Sequence, residues 1–180
     1  APIFSFTRLR GAVPTLGVEM ASTGEVACVG ESVHEALLQS MLSTTFKLPN
    51  KNRSILLSIA SDRFRREFEE SVMILHKRGY KLFGTPGTAK FYQDNSGIPV
   101  TTVTKPADES DDGPETALHE IKNGKIDLVI NVSEGSTRRD EITSGYIIRR
   151  AVVDFGVSLI TDVKCAIALA ECFERGMDET

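Results

Sequence analysis

From residue 55 onward, short unbroken apolar runs alternate with widely spaced apolar stripes, the pattern of strands and helices taking turns. Ile55 to Ala60 is a run short enough for a buried parallel strand. Phe64, Phe68, Val72 and Leu75 recur at four, four and three residues, which draws one stripe along a helix that Gly79 ends. Tyr80 to Phe83 predicts the next strand, Thr88 to Asp94 a helix and Val100 to Val103 a third strand. After an acidic loop from Pro106 to Pro114, Glu115 to Lys122 reads as a helix closed by Asn123 and Gly124. Ile126 to Asn131 is a fourth strand, and a polar loop follows as far as Ser144. Tyr146 to Phe155, Val157 to Ile160 and Val163 to Phe173 complete the series as helix, strand and helix. Five short strands separated by helices predict an α/β fold: a five-stranded, mostly parallel, doubly wound sheet with helices on both faces.

Residues 1–48 follow another rhythm. Ile3 to Phe6, Leu16 to Met20 and Glu25 to Val29 read as strands, with a turn at Ala21 to Gly24. Ser32 then caps a helix that runs through Met41 and Leu42. Leu48-Pro-Asn-Lys-Asn-Arg-Ser54 is a polar stretch holding a proline, so the organisation read here is a β-rich region at 1–48, a linker at 49–54 and a domain at 55–180. The chain opens at Ala1 in mid-alternation, which reads as a piece excised from a larger polypeptide.

Composition narrows the partners. A net charge of −4 with 26% charged residues offers no dominant basic patch, which argues against nucleic acid or a membrane surface. No apolar run reaches the ~18 residues of a bilayer span. Cys28, Cys165 and Cys172 form no C-x-x-C, and the last two fall on one helix face, so buried reduced thiols in a reducing interior are expected.

Chemistry concentrates at the predicted carboxyl ends of the strands, where open α/β sheets bind ligands. In Lys81-Leu-Phe-Gly-Thr-Pro-Gly-Thr88 a strand hands over to a helix, and Thr85, Gly87 and Thr88 stand where free N–H groups and the helix dipole favour an anion. Lys105 follows the third strand as a point charge, Asn131 ends the fourth as an amide donor, and Ser133 lies just beyond. Arg63, Arg65 and Arg66 read as a solvated helix start, with one of them reaching the site as the alternative; Arg149 and Arg150 read as structural ion pairs or an interface. No catalytic residue is assigned: Asn131-Val-Ser-Glu-Gly-Ser136 has Glu134 as its single ionisable group, and His34, His76 and His119 fall on helices or at element ends. No His, Cys or carboxylate grouping has metal-ligand spacing, so no metal and no resident cofactor are expected.

Two stretches carry a family resemblance. Val18-Glu-Met-Ala-Ser-Thr-Gly-Glu-Val26 resembles the E-M-x-S-T-G-E-V segment near the close of the second ATP-grasp unit of carbamoyl-phosphate synthetase large subunits. Gly79-Tyr-Lys-Leu-Phe-Gly-Thr-Pro-Gly-Thr-Ala89, Asp127-Leu-Val-Ile-Asn131 and Tyr146-Ile-Ile-Arg-Arg150 resemble the methylglyoxal-synthase-like allosteric domain that follows it. The resemblance implies that residues 1–48 are a remnant of the ATP-grasp unit, with the ATP and Mg sites of the parent enzyme upstream. It implies that residues 55–180 form an allosteric domain in a cytoplasmic enzyme, partnered by the rest of the synthetase and its glutaminase part.

Effector contacts carry over onto Thr85, Gly87, Thr88, Lys105 and Asn131, and onto Ser133 and Thr137 in a loop of variable length. Pyrimidine-pathway members of the family sense UTP or UMP, phosphoribosyl pyrophosphate or IMP; the urea-cycle type senses N-acetylglutamate. Lys105 in place of a bulky aromatic, and Leu159-Ile-Thr-Asp-Val-Lys-Cys165, resemble the eukaryotic multifunctional pyrimidine type. A catalytic methylglyoxal synthase and a purely structural oligomerisation domain are the competing readings.

Overall fold

The computed structural model describes residues 2–3, 24–107, 113–133 and 144–179. Two strands, β3 (Ser54–Ile59) and β6 (Leu128–Val132), are buried along their whole length. Such strands are apolar on both faces and are stable only where helices cover the sheet on both sides. They pair in parallel, with Ile55 opposite Leu128 and Ile59 opposite Val132. β4 (Lys81–Gly84) flanks β3 on its other side, and β5 (Thr101–Thr102) and β7 (Ser158–Ile160) form the edges. All pairs are parallel, in the order β5-β4-β3-β6-β7, so the expected five-stranded sheet is present.

Alternation along the strands sorts the side chains into two cores. Ile55, Leu57 and Ile59 join Leu128, Ile130 and Val132 against α2 (Asp62–Glu67), α3 (Glu69–Lys77), α4 (Pro86–Ser96) and α7 (Val163–Glu174). Leu56 and Val129 face the opposite way, into a core made with α5 (Ala117–Lys122) and α6 (Ser144–Asp154). None of the described helices is long and apolar enough to cross a membrane.

The stripe from Phe64 to Leu75 is buried as expected, yet it lies on two helices. α2 ends at Phe68, where φ is −95° and ψ 1°, and α3 restarts without a side-chain cap. Tyr92 supplies the cause: its hydroxyl donates to the Arg65 carbonyl at 3.0 Å and lifts that group out of the helical ladder. Burial pushes the Tyr92 phenol well above its ordinary range, so it remains a donor.

The N-terminal region departs further from expectation. β1 (Pro2–Ile3) pairs antiparallel with β2 (Gly24–Glu25), and the strand expected at 16–20 lies outside the described residues. The strand expected at 25–29 keeps only its first residue among the described residues, and Val29 is 90% exposed. α1 (Val33–Leu42) is capped by Ser32, whose hydroxyl accepts the Glu35 N–H at 3.2 Å. Although it precedes the expected linker, α1 packs on α7: Leu38 belongs to the first core, and His34 Nε2 meets Glu171 Oε2 at 2.8 Å. The stretch after it is fastened too, with Ser158 Oγ accepting the Lys47 N–H and donating to the Lys47 carbonyl, both at 2.8 Å.

All three cysteines are free thiols, but Cys165 is exposed, contrary to expectation. Cys172 is covered because it lies under α1, donating to the His34 carbonyl at 3.4 Å. That cover ends before Cys165, two turns earlier on the same side. Desolvation, then the neighbouring Asp162 carboxylate, push the Cys165 thiol up, which keeps it protonated.

At the amino-terminal pole of the sheet one carboxylate gathers three donors. Asp178 accepts from Arg78 Nη2 at 2.6 Å, from the Tyr80 hydroxyl at 2.7 Å and from Arg53 Nη2 at 3.5 Å. The Arg53 guanidinium lies over the Tyr80 ring, which stacks on Phe173. These contacts hold Arg53 at a φ of 52°, a left-handed conformation that disfavours side chains. Burial alone would raise the Asp178 carboxyl; the Tyr80 and Arg78 hydrogen bonds outweigh it and hold the group below its ordinary 3.8. Asp178→Asn should therefore cost about 2–4 kcal/mol, less than a fully buried pair because both arginines keep contact with water. Asp178 contributes stability above pH ~4 that is lost as pH falls through its lowered folded-state value. Urea unfolding of parent and variant between pH 2 and 7 should show their difference shrinking at the acid end.

Candidate functional site

Reversal of the strand order between β3 and β6 opens a crevice at their carboxyl ends. There Ser58 pairs with Asn131 on one side, while on the other Leu57 pairs with Gly84 and its carbonyl accepts the Thr85 N–H at 3.1 Å. Thr85 and Asn131 thus flank Ser58, roughly 10 Å apart at two strand spacings. Ser58 and Asn131 continue the row of Leu56 and Val129, on the α5–α6 face.

β4 turns into α4 before β3 has ended, so the last β3 residues lack a strand partner on that side. Side chains replace it. The Thr88 hydroxyl accepts the Ile59 N–H at 3.1 Å and donates to the Ile59 carbonyl at 3.2 Å. With Thr85 Oγ1 donating to it at 3.3 Å, its one hydrogen and two lone pairs are all engaged. Thr88, expected to offer its hydroxyl to a ligand, instead completes the sheet. Gly84 permits the tight approach: a Cβ there would meet Val100 Cγ1 at 2.9 Å and the Ala89 nitrogen at 3.1 Å.

Arg65 closes the same strand end. Its Nε donates to the Ile59 carbonyl at 3.0 Å, Nη2 to the Ala60 carbonyl at 3.2 Å and Nη1 to Asp62 at 2.6 Å. Two of its five N–H groups remain outside these bonds. The guanidinium lies over the start of α4, with Nη2 at 3.2 Å from where a Cβ on Gly87 would sit. Pro86 has no N–H, and the amides of Thr88 and Ala89 both bond to the Thr85 carbonyl, so the Gly87 N–H is the first-turn donor left over. A cation at the positive end of a helix is electrostatically unfavourable by itself and becomes favourable once an anion lies between them.

Across the crevice Asn131 is 2% exposed. Its Oδ1 accepts from Arg149 Nη1 at 2.8 Å, whereas its Nδ2 has no hydrogen-bond partner among the described residues. An unsatisfied buried amide costs about 1–3 kcal/mol and is uncommon. A ligand acceptor placed there would remove that cost. The Ser58 hydroxyl beside it makes no hydrogen bond among the described residues, and Ser133, two residues further on, is half-buried just past the end of β6. Lys105 is exposed beyond β5, where Thr104 bridges to Thr116 and leads the chain into α5. His119 follows that bridge in the first turn of α5, nearer this edge than its helical position suggested. Thr137 lies outside the described residues.

Thr85, Gly87, Ser58 and Asn131 are thus brought to one crevice, with Lys105 on the β5 side of the same edge. Arg65 and Arg149 were weighed in the sequence as solvent-facing or structural, yet both reach it; Arg150, by contrast, does form the expected structural pair, with Asp154. Helical phase could have found both: each follows a stripe residue, Phe64 or Ile148, by ~100°, which sets it at the border of the buried face. Cations and N–H donors dominate the described crevice, an arrangement able to bind an oxyanion.

Residues 67–161 match the MGS-like domain family. The chain is 49% identical over 92% of its length to multifunctional protein pyr1-3 of Dictyostelium discoideum. It is 44% identical over 98% to multifunctional protein URA2 of Saccharomyces cerevisiae. To the mitochondrial carbamoyl-phosphate synthase [ammonia] of Rattus norvegicus it is 42% identical over 97%. The chain spans only 7, 8 and 11% of the length of these three relatives. Among solved structures it is similar to methylglyoxal synthase from Elizabethkingia anophelis, with TM-score 0.49 and 22% identity, over 66% of this chain and 76% of that one.

Thr88→Val, which keeps the shape and removes the hydroxyl, should lower unfolding stability by about 1–3 kcal/mol because it strands the buried Ile59 N–H. Chemical denaturation measures this directly. A variant as stable as the parent would return Thr88 to the role of a ligand contact.

Proposed function

The chain belongs to the family of MGS-like domains, and we propose that it is the effector-binding region of a carbamoyl-phosphate synthetase, serving pyrimidine synthesis. The observation that carries this reading is the crevice itself. A buried amide lacking an acceptor stands on one side, and a guanidinium poised over a helix N-terminus on the other. The phosphate of the effector docks between Arg65 and the Gly87 N–H, with Lys105 adding charge from the β5 side. The remainder of the molecule crosses to Ser58 and Asn131, and Ser133 and Thr137 extend the contact from the loop beyond. The roughly 10 Å between Thr85, just before α4, and Asn131 suits a nucleotide or a phosphoribosyl compound better than free phosphate, so UTP or UMP, phosphoribosyl pyrophosphate and IMP are the candidates.

The region itself carries out no catalysis in this reading. An amide stands at Asn131, where proton abstraction from a sugar phosphate calls for a carboxylate. Residues 1–48 are the end of the ATP-grasp unit whose ATP and Mg sites lie elsewhere in the parent. The parent's own chain and its glutaminase part are the partners, in the cytoplasm. A second reading follows from the likeness to the ammonia-dependent synthase: the effector is a carboxylate, N-acetylglutamate, bound by the same donors.

Isothermal titration of the 180-residue chain with UTP, UMP, phosphoribosyl pyrophosphate, IMP and N-acetylglutamate separates these readings. Saturable binding of a phosphorylated compound is expected; binding of N-acetylglutamate alone would transfer the chain to the second. Conversion of dihydroxyacetone phosphate to methylglyoxal by the chain would overturn both. Arg65→Ala should weaken the phosphorylated effector about 10- to 100-fold, as loss of a charge-assisted hydrogen bond does. Exposed Lys105→Ala should weaken it less than about fivefold. The reverse order would move the phosphate to the β5 side.

A further inference from the structure

Asn131 presents one end of its amide to Arg149, and that pairing decides what the other end can do. A guanidinium has donors only, so the atom it meets at 2.8 Å has to be Oδ1. The amide is therefore oriented by chemistry: Oδ1 turns to Arg149, and Nδ2, without a partner among the described residues, turns away from it. Rotating the amide by half a turn would press N–H against N–H. Arg149 is itself 2% exposed and is held by α6, whose neighbouring Ile148, Ala151 and Val152 are packed in the second core. Arg150, next in the chain, is engaged by Asp154 and leaves Asn131 to Arg149.

We propose that Arg149 is a positioning residue that makes Asn131 a pure hydrogen-bond donor, so that the crevice accepts a ligand group with lone pairs and no hydrogens at this point. The matching chemistry is a phosphate, carboxylate or carbonyl oxygen; an amino group or amide NH2 placed there is refused. This rests on the effector reading above and adds to it a residue that need not touch the ligand. The buried positive charge of Arg149 also raises the acidity of the Asn131 N–H groups through the shared amide, which strengthens the bond they give to an anion.

The test uses the 180-residue chain, with inorganic phosphate and UMP as probes, and reads both the dissociation constant and the side-chain NH2 resonances of Asn131. In the parent, the probe should shift those resonances. Arg149→Met should move them before any ligand is added and weaken UMP about tenfold, the weight of one lost hydrogen bond, while Arg149→Lys, still a donor, should recover part of the affinity. Asn131→Asp keeps an acceptor for Arg149 but turns the ligand-facing atom into an anionic acceptor. It should hold the fold and abolish phosphate and UMP binding, which keeps the proposal testable even if the methionine variant does not fold. Unchanged resonances and unchanged affinity in Arg149→Met overturn the proposal, as does Asn131→Asp that binds like the parent. If neither probe binds the parent, the effector reading fails by itself. The pinning is then decided by the resonances alone, and Asn131 signals unmoved in Arg149→Met refute it.

Discussion

At the carboxyl end of β3, the backbone of Ile59 has one strand neighbour where it needs two. β4 leaves the sheet after pairing with Leu57, so the Ile59 N–H and carbonyl, both buried, require other partners. Thr88 reaches in from α4 to take both, and Arg65 reaches back from α2 to take the carbonyl a second time. Those two side chains fix where α4 begins and bring a guanidinium over its first turn. The crevice is thus a by-product of finishing a sheet whose strands differ in length. A helix dipole, an arginine and a spare N–H arrive together because one buried peptide group had to be satisfied.

Among the described residues, the two poles of the sheet differ in how their polar groups are partnered. At the amino end of the strands, the Asp178 carboxylate is surrounded by Arg53, Arg78 and Tyr80, so each of the three has a buried acceptor to share. At the carboxyl end, among the described residues, Asp62 is the carboxylate that Arg65 meets, and the Asn131 amide Nδ2 stands without an acceptor. A buried carboxylate ringed by donors holds structure together, whereas donors without an acceptor at a cleft are a place for something to arrive. Arg53 is held by a buried carboxylate, whereas Arg65 is held by backbone carbonyls and a mostly exposed Asp62, though both lie close to β3.

Much of this was legible in the residues. β3 and β6 were found because a strand buried on both faces must be continuously apolar, and Gly79 was found because only glycine readily takes the φ of 81° that ends α3 there. The break at Phe68 was invisible, since it depends on a tyrosine from another helix competing for the Arg65 carbonyl. Thr88 was placed in the right spot for the wrong purpose: a hydroxyl that points to ligand and one that points to backbone look alike in a sequence. Arg65 reads as part of a solvated helix start because a charged residue in a helix is usually solvated, yet at the border of the apolar stripe it reaches back to the end of β3. Cys165 was misjudged for the converse reason, since periodicity tells which face a residue shares but not how far its cover extends.

The polar stretch before β3 has the composition of a hinge. Its fastenings say otherwise: Lys47 is tied at both backbone groups to Ser158 of the edge strand β7, and Asn52 is tied by backbone and side chain to Asp127 at the start of β6. Mechanically these are two rivets on neighbouring strands. A pull delivered through residue 46 would be borne first by β7 and then by the foot of β6, the strand that carries Asn131 at its other end. The segment is thus a strap pinned at both ends to the sheet, one pin at the foot of the strand that carries Asn131.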